Sequence, residues 1–229
     1  IATGRAQRDV SFDLRGALIT PKVTHRAALL EPRAVGQLLR AVEDHEGQPT
    51  VRIALRLAPH LFVRPGELRS AEWREFDVPE AVWTIPAEKT KMRKAHRVPL
   101  SPQVLAILAE LRPITGKGKY LFPSVRTPTR PITDNTLNAA LRRLGYDKTQ
   151  MTAHGFRAMA STLLNETGKW HADAIERQLG HIESNEVRRA YARGEHWPER
   201  VAMMASWSDY LDRLRTGAKI IKGKFGRFN

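Results

Sequence analysis

Apolar residues recur at helical spacing from residue 31 onward, with Val35, Leu38, Leu39 and Val42 on one face between Pro32 and Gly47. Pro32 suits a first helical position, so this stretch is expected to be a helix. A second helix is expected over 50–61, followed by Arg64-Pro65-Gly66-Glu67-Leu68 as a turn into a short helix. Between 72 and 100 the texture turns strand-like. Trp73, Phe76, Val82, Trp83, Ile85 and Val98 are broken by turn-prone Asp77, Pro79 and Pro86, which predicts a small antiparallel sheet. Residues 87–96 are polar and read as an exposed hairpin tip carrying Lys89, Lys91, Arg93 and Lys94, of a kind that can enter a groove or follow a backbone.

Helical patterns follow over 102–111, 134–144, 155–166, 172–179, 186–192 and 198–214, with Asp134 as an N-cap and Gly145 as a stop. The expected fold class is therefore mainly α with a small antiparallel β-sheet (α+β). Residues 1–30 lack sustained periodicity and read as a linker or docking arm. Residues 31–215 form the compact domain, and 216–229 a basic, glycine-punctuated tail.

Composition narrows the possible partners. The 229 residues are 41% hydrophobic, enough for a sizeable core, and 38 lysines and arginines against 24 acidic residues give a formal charge of +14. Such a surface favours a polyanion through phosphate neutralisation, nucleic acid ahead of a membrane surface. The absence of cysteine removes disulfides, thiolate zinc sites and cysteine nucleophiles and fits an intracellular protein. No apolar run approaches the roughly 20 residues that span a bilayer, and Ile1 to Val10 lacks a signal-peptide core.

Three short motifs could carry chemistry, each weak alone. In His154-Gly155-Phe156-Arg157 the two end residues project from one side of a helix, and arginine's planar fork suits a phosphate. Gln178-Leu179-Gly180-His181 is followed ten residues later by Tyr191, which with Val187 and Ala190 could equally be the buried stripe of a helix. In Arg64-Pro65-Gly66-Glu67-Leu68-Arg69, Glu67 can accept from the Arg64 guanidinium, as in an ordinary ion pair.

Taken together, Arg64 in its RPGEL context, the hairpin from Thr90 to Ser101, HGFR, LGH and Tyr191 resemble the tyrosine recombinases, and most closely the phage P4-type integrases, over roughly residues 30–215. The resemblance implies the catalytic-domain fold of that family, lying after a separate amino-terminal DNA-binding region to which 1–30 would be the arm. It also implies roles: Arg64 and Arg157 hold the scissile phosphate, His154 and His181 assist, Lys91 protonates the leaving group, Tyr191 attacks, and Glu67 orients the site. Lys89 and Lys94 lie close enough to exchange roles with Lys91 if the hairpin shifts; otherwise Lys89, Arg93 and Lys94 would contact DNA.

The chemistry suits these residue types. Attack on a phosphodiester gathers negative charge on the non-bridging oxygens, which preorganised cations stabilise. The phenol needs a proton acceptor, either His154 or His181. The resemblance implies no cofactor and no metal, and His171, His181 and His196 match no common zinc spacing. It implies double-stranded DNA at attachment sites as the partner, a homotetramer on DNA for the full-length protein, a monomer for the isolated fragment, no membrane, and a bacterial cytoplasmic location. A type IB topoisomerase and a non-catalytic DNA-binding protein are the alternatives in other classes.

Overall fold

The fold is described from a computed structural model in which residues 27–181 and 195–217 are placed. Eight helices are seen among them: α1 Pro32–Glu43, α2 Pro49–Leu61, α3 Pro65–Arg69, α4 Pro102–Thr115, α5 Thr136–Arg143, α6 Gly155–Glu166, α7 Ala172–Gln178 and α8 Trp197–Thr216. One sheet contains β1 Phe76–Asp77, β2 Val82–Ile85 and β3 His96–Pro99 in the order β1-β2-β3, antiparallel throughout. The mainly helical architecture with a small antiparallel sheet is as the hydrophobic pattern implies.

Helix α2 is the hub. Ile53, Ala54, Leu55, Leu57, Ala58 and Leu61 are buried on all sides of it, as expected of a helix with neighbours all round. It packs on α1, α3, α4, α5, α6 and α8. It ends at Phe62 in a left-handed conformation (φ 37°), an unusual state for a bulky residue, held by a fully buried ring edge-on to Trp207 at 6.2 Å. This cap leads directly to Arg64.

Local chemistry explains most boundaries. Helix α4 runs through Thr115, past the expected end, although Pro113 sits in its last turn, and Ser101 caps its start by accepting from the Val104 N–H. Helix α5 starts later than expected. Its N-cap is Asn135, without a side-chain hydrogen bond, while Gly145 stops the chain in the left-handed region at φ 90°. The expected helix over 186–192 lies outside the described residues. Among the described residues no helix is long and apolar enough to cross a membrane.

The hairpin differs from its expectation. Residues 87–96 are not uniformly exposed. Ala87–Lys89 form a short 3₁₀ turn, Lys89 is half-buried, Thr90 and His96 are buried, and Glu88 and 91–95 stand out in solvent. Thr90 closes this tip, its Oγ1 accepting from the Lys94 N–H at 3.1 Å and lying 2.8 Å from the Lys94 carbonyl.

Candidate active site

Arg64 is the N-cap of α3, placed by the turn that follows the Phe62 cap. Glu67 fixes it twice: Oε2 accepts from the Arg64 backbone N–H at 2.9 Å, and Oε1 accepts from its guanidinium at 2.9 Å. Since Glu67 is buried, this carboxylate acts as a rigid bracket for the arginine rather than as a surface ion pair. The guanidinium also donates to the Gly180 carbonyl at 3.1 Å.

Arg157 arrives from the first turn of α6 and is buried. Its guanidinium donates to the Leu179 carbonyl and, at 3.4 Å, to the Phe62 carbonyl. Burial, with the Arg64 guanidinium beside it, lowers the Arg157 pKa to about 10, which still leaves the group cationic at neutral pH. Arg64 and Arg157 thus grip successive carbonyls of the turn after α7, and each keeps further N–H groups for a ligand.

Two glycines make this approach possible. A Cβ on Gly155 would lie 2.3 Å from the Ala27 carbonyl oxygen, so the glycine of HGFR lets the incoming chain pass against the start of α6. Gly180 adopts φ 60°, and a Cβ there would meet His96 Nδ1 at 3.1 Å. Burial and then the guanidiniums of Arg200, Arg157 and Arg64 lower the His96 pKa to about 3, so this imidazole is neutral beneath the cationic cluster.

His154 caps α6. His181 follows the Gly180 turn, and its Nδ1 lies 2.7 Å from Glu176 Oε2, leaving Nε2 as the nitrogen for a substrate. The His181 hydrogen bond holds the Glu176 carboxyl below its ordinary range, against the effect of burial. Arg64, Lys91, His154, Arg157 and His181 line one open cleft of about 460 Å³, together with Met92 and Glu176. Five expected site residues drawn from four separate stretches of chain therefore face a common space. Tyr191, the expected nucleophile, lies outside the described residues. His181 and Glu195, the described residues nearest it in sequence on either side, line a neighbouring cleft of about 280 Å³ that shares Arg64, Met92 and His181 with the first.

The chain's matches to known proteins give its family and its fold. The model of the phage integrase family matches residues 29–196. The chain belongs to the phage integrase family of tyrosine recombinases. The integrase of Enterobacteria phage P4 is 43% identical over 217 residues, covering 89% of this chain and 49% of that protein. The chain spans about half the length of the curated relatives it matches. Its fold is that of the lambda integrase catalytic core, with a TM-score of 0.51 at 20% identity over 69% of this chain and 96% of that one. A lambda integrase tetramer bound to a Holliday junction is similar at a TM-score of 0.58 and 20% identity, over 81% of this chain and 55% of that one.

In this integrase domain, sequence reasoning overlooked Glu176 and the buried His96. Glu176 lies five residues before His181 and could have been found by asking which acid in the preceding helix can reach that imidazole. His96 stands in the hairpin motif, but nothing local in the sequence shows that it packs on Gly180. Among the described residues, His171, Asp173 and His196 place ligand-type atoms within 4.8 Å of one another. The two rings stack with an 18° tilt, so one ion cannot lie in the plane of both, and Glu199 already lies 3.2 Å from His196 Nδ1.

Proposed function

We propose that this chain is the catalytic part of a site-specific recombinase that breaks and rejoins DNA through a 3′-phosphotyrosyl bond, in the integration or excision of a mobile element. The observation that carries the reading is the single cleft lined by Arg64, Lys91, His154, Arg157 and His181. Tyr191 Oη attacks the scissile phosphorus. Arg64 and Arg157 stabilise the charge that builds on the non-bridging oxygens. His154 or His181 Nε2 takes the phenolic proton, and Lys91 protonates the departing 5′ oxygen. The bond energy stays in the phosphotyrosyl ester, so a 5′ hydroxyl of another strand can reverse the step without ATP.

The partner is double-stranded DNA at attachment sites, in the bacterial cytoplasm. Arg93 and Lys94 on the exposed tip are suited to phosphate contacts. The full-length protein assembles as a tetramer on DNA, in keeping with the lambda relative, whereas the isolated domain is a monomer. Residues 1–30 serve as the arm to an amino-terminal DNA-binding region, and 216–229 as a basic tail.

Suicide duplexes built from the attachment junctions of the encoding element test the reading. The chain is expected to form a denaturant-resistant adduct with them, and Tyr191→Phe to bind the duplex without forming one. An adduct from Tyr191→Phe would remove the nucleophile assignment. Relaxation of generic plasmid by the monomer would favour topoisomerase chemistry over recombination.

A further inference from the structure

The hairpin holds two lysines in very different settings. Lys91 stands in solvent at the edge of the cleft. Lys89, two positions earlier, turns inward, with its side chain only 16% exposed. Its ammonium donates to the Ser70 carbonyl at 2.8 Å, to Glu72 Oε1 at 2.8 Å and to Glu75 Oε1. An ammonium has three N–H groups, and these acceptors use all of them. Nothing is left over for a phosphate or for a leaving oxygen.

The two carboxylates are themselves immobilised. Both are buried, Glu75 Oε2 accepts from the Trp83 indole at 3.1 Å and from the Glu72 N–H at 3.2 Å, and Glu72 Oε2 accepts from Arg74 at 2.8 Å. Ser70 is the C-cap of α3, the helix whose N-cap is Arg64. Lys89 therefore ties the root of the Lys91 turn to the same short helix that presents a phosphate-binding arginine. Burial works against the ammonium, but its bonds to Glu72 and Glu75 prevail and raise the Lys89 pKa above its ordinary value. A lysine so held is also a poor proton donor.

We propose that Lys89 is a positioning residue, which fixes the root of the Lys91 turn relative to α3 and Arg64 and does not itself meet DNA. This rests on the recombinase reading for the role of Lys91, but the anchoring itself does not. The link acts on the protonation of the leaving oxygen, because the turn it holds carries the lysine that serves as acid. Phosphate binding by Arg64 and Arg157 should survive its loss, since Glu67 and the Gly180 and Leu179 carbonyls hold those residues independently.

Three measurements on the full chain test this. Lys89→Met is compared with Lys89→Arg, which can still pair with both carboxylates. Because taking the shared ammonium away from two buried carboxylates can unfold the domain, Lys89→Met is also made in a Glu72→Gln, Glu75→Gln background that keeps the acceptors and removes their charge. On suicide duplexes, Lys89→Met should slow cleavage at a 5′ oxygen by about tenfold or more while leaving a 5′-thio leaving group, which needs no acid, within about threefold. Lys89→Arg should restore the rate.

The salt dependence of binding to a generic 30-base-pair duplex should keep its slope, whereas loss of a phosphate contact would reduce it by about 0.9. Amide hydrogen exchange should quicken over 90–95 in Lys89→Met and not in α6. Equal losses on both leaving groups, a shallower salt slope, or unchanged exchange at the turn would each overturn the proposal. If the unsubstituted chain cleaves neither duplex, the recombinase reading fails, and the exchange and salt measurements still decide the anchoring.

Discussion

Arg64 donates across 116 positions of sequence to the Gly180 carbonyl at 3.1 Å, joining the end of the helical hub to the turn that presents His181. Arg157 holds the preceding carbonyl of the same turn. Arg64, Arg157 and the turn that carries His181 are thereby parts of one hydrogen-bonded unit, and changes to any part should register in the others.

Gly180→Ala should damage both fold and site. The position has φ 60°, and the added methyl would press on His96 Nδ1 at 3.1 Å and on the Arg64 guanidinium at 3.4 Å. A loss of about 1–3 kcal/mol is expected in urea unfolding, with adduct formation on a suicide duplex slowed beyond what the folded fraction explains. Unchanged stability would show that the turn can relax away from His96.

Arg64→Lys and Arg157→Lys should each keep the positive charge but lose cleavage. A lysine cannot bridge the carbonyl of the 179–180 turn and still offer a two-pronged face to a phosphate. Single-turnover cleavage should fall by about 10²–10³-fold, the usual consequence of removing one transition-state donor. Affinity for duplex DNA should change only a few-fold. A parallel collapse of binding would mean that these residues act in the ground state.

Acid should weaken the fold before the carboxylates titrate. His60, buried against Ser208 at 2.9 Å, has its pKa lowered by burial to about 4. A histidine whose folded pKa lies below its unfolded value near 6.5 contributes full stability above that value and loses it as pH falls toward the folded one. The loss from His60 amounts to about 3 kcal/mol by pH 4, and buried His96 acts in the same direction. Urea midpoints between pH 7 and 5 should decline, and His60→Gln should flatten that slope. A slope unaffected by this substitution would assign the effect to other groups.

On the proposed mechanism, in which guanidiniums supply the positive charge and Lys91 the proton, removal of divalent metal should leave adduct formation unchanged. Cleavage measured with and without EDTA checks this. Abolition by the chelator, restored by magnesium, would refute the metal-free scheme.

The sequence by itself determined the described helices, apart from the end of α4 and the start of α5, the sheet, and the placing of His154 and Arg157 one turn apart, because these depend on spacings of two to four residues that the backbone periods fix. It also marked Arg64 with Glu67, three positions apart at a helix start. It misjudged Lys89 as part of an exposed tip, since the carboxylates that bury it lie 17 and 14 positions away. Only the tertiary structure decided that Arg64 and Arg157 share the 179–180 turn and that Lys91 and not Lys89 faces the cleft. Those outcomes depend on which distant acceptors burial brings within hydrogen-bond reach, and local periodicity carries no record of that.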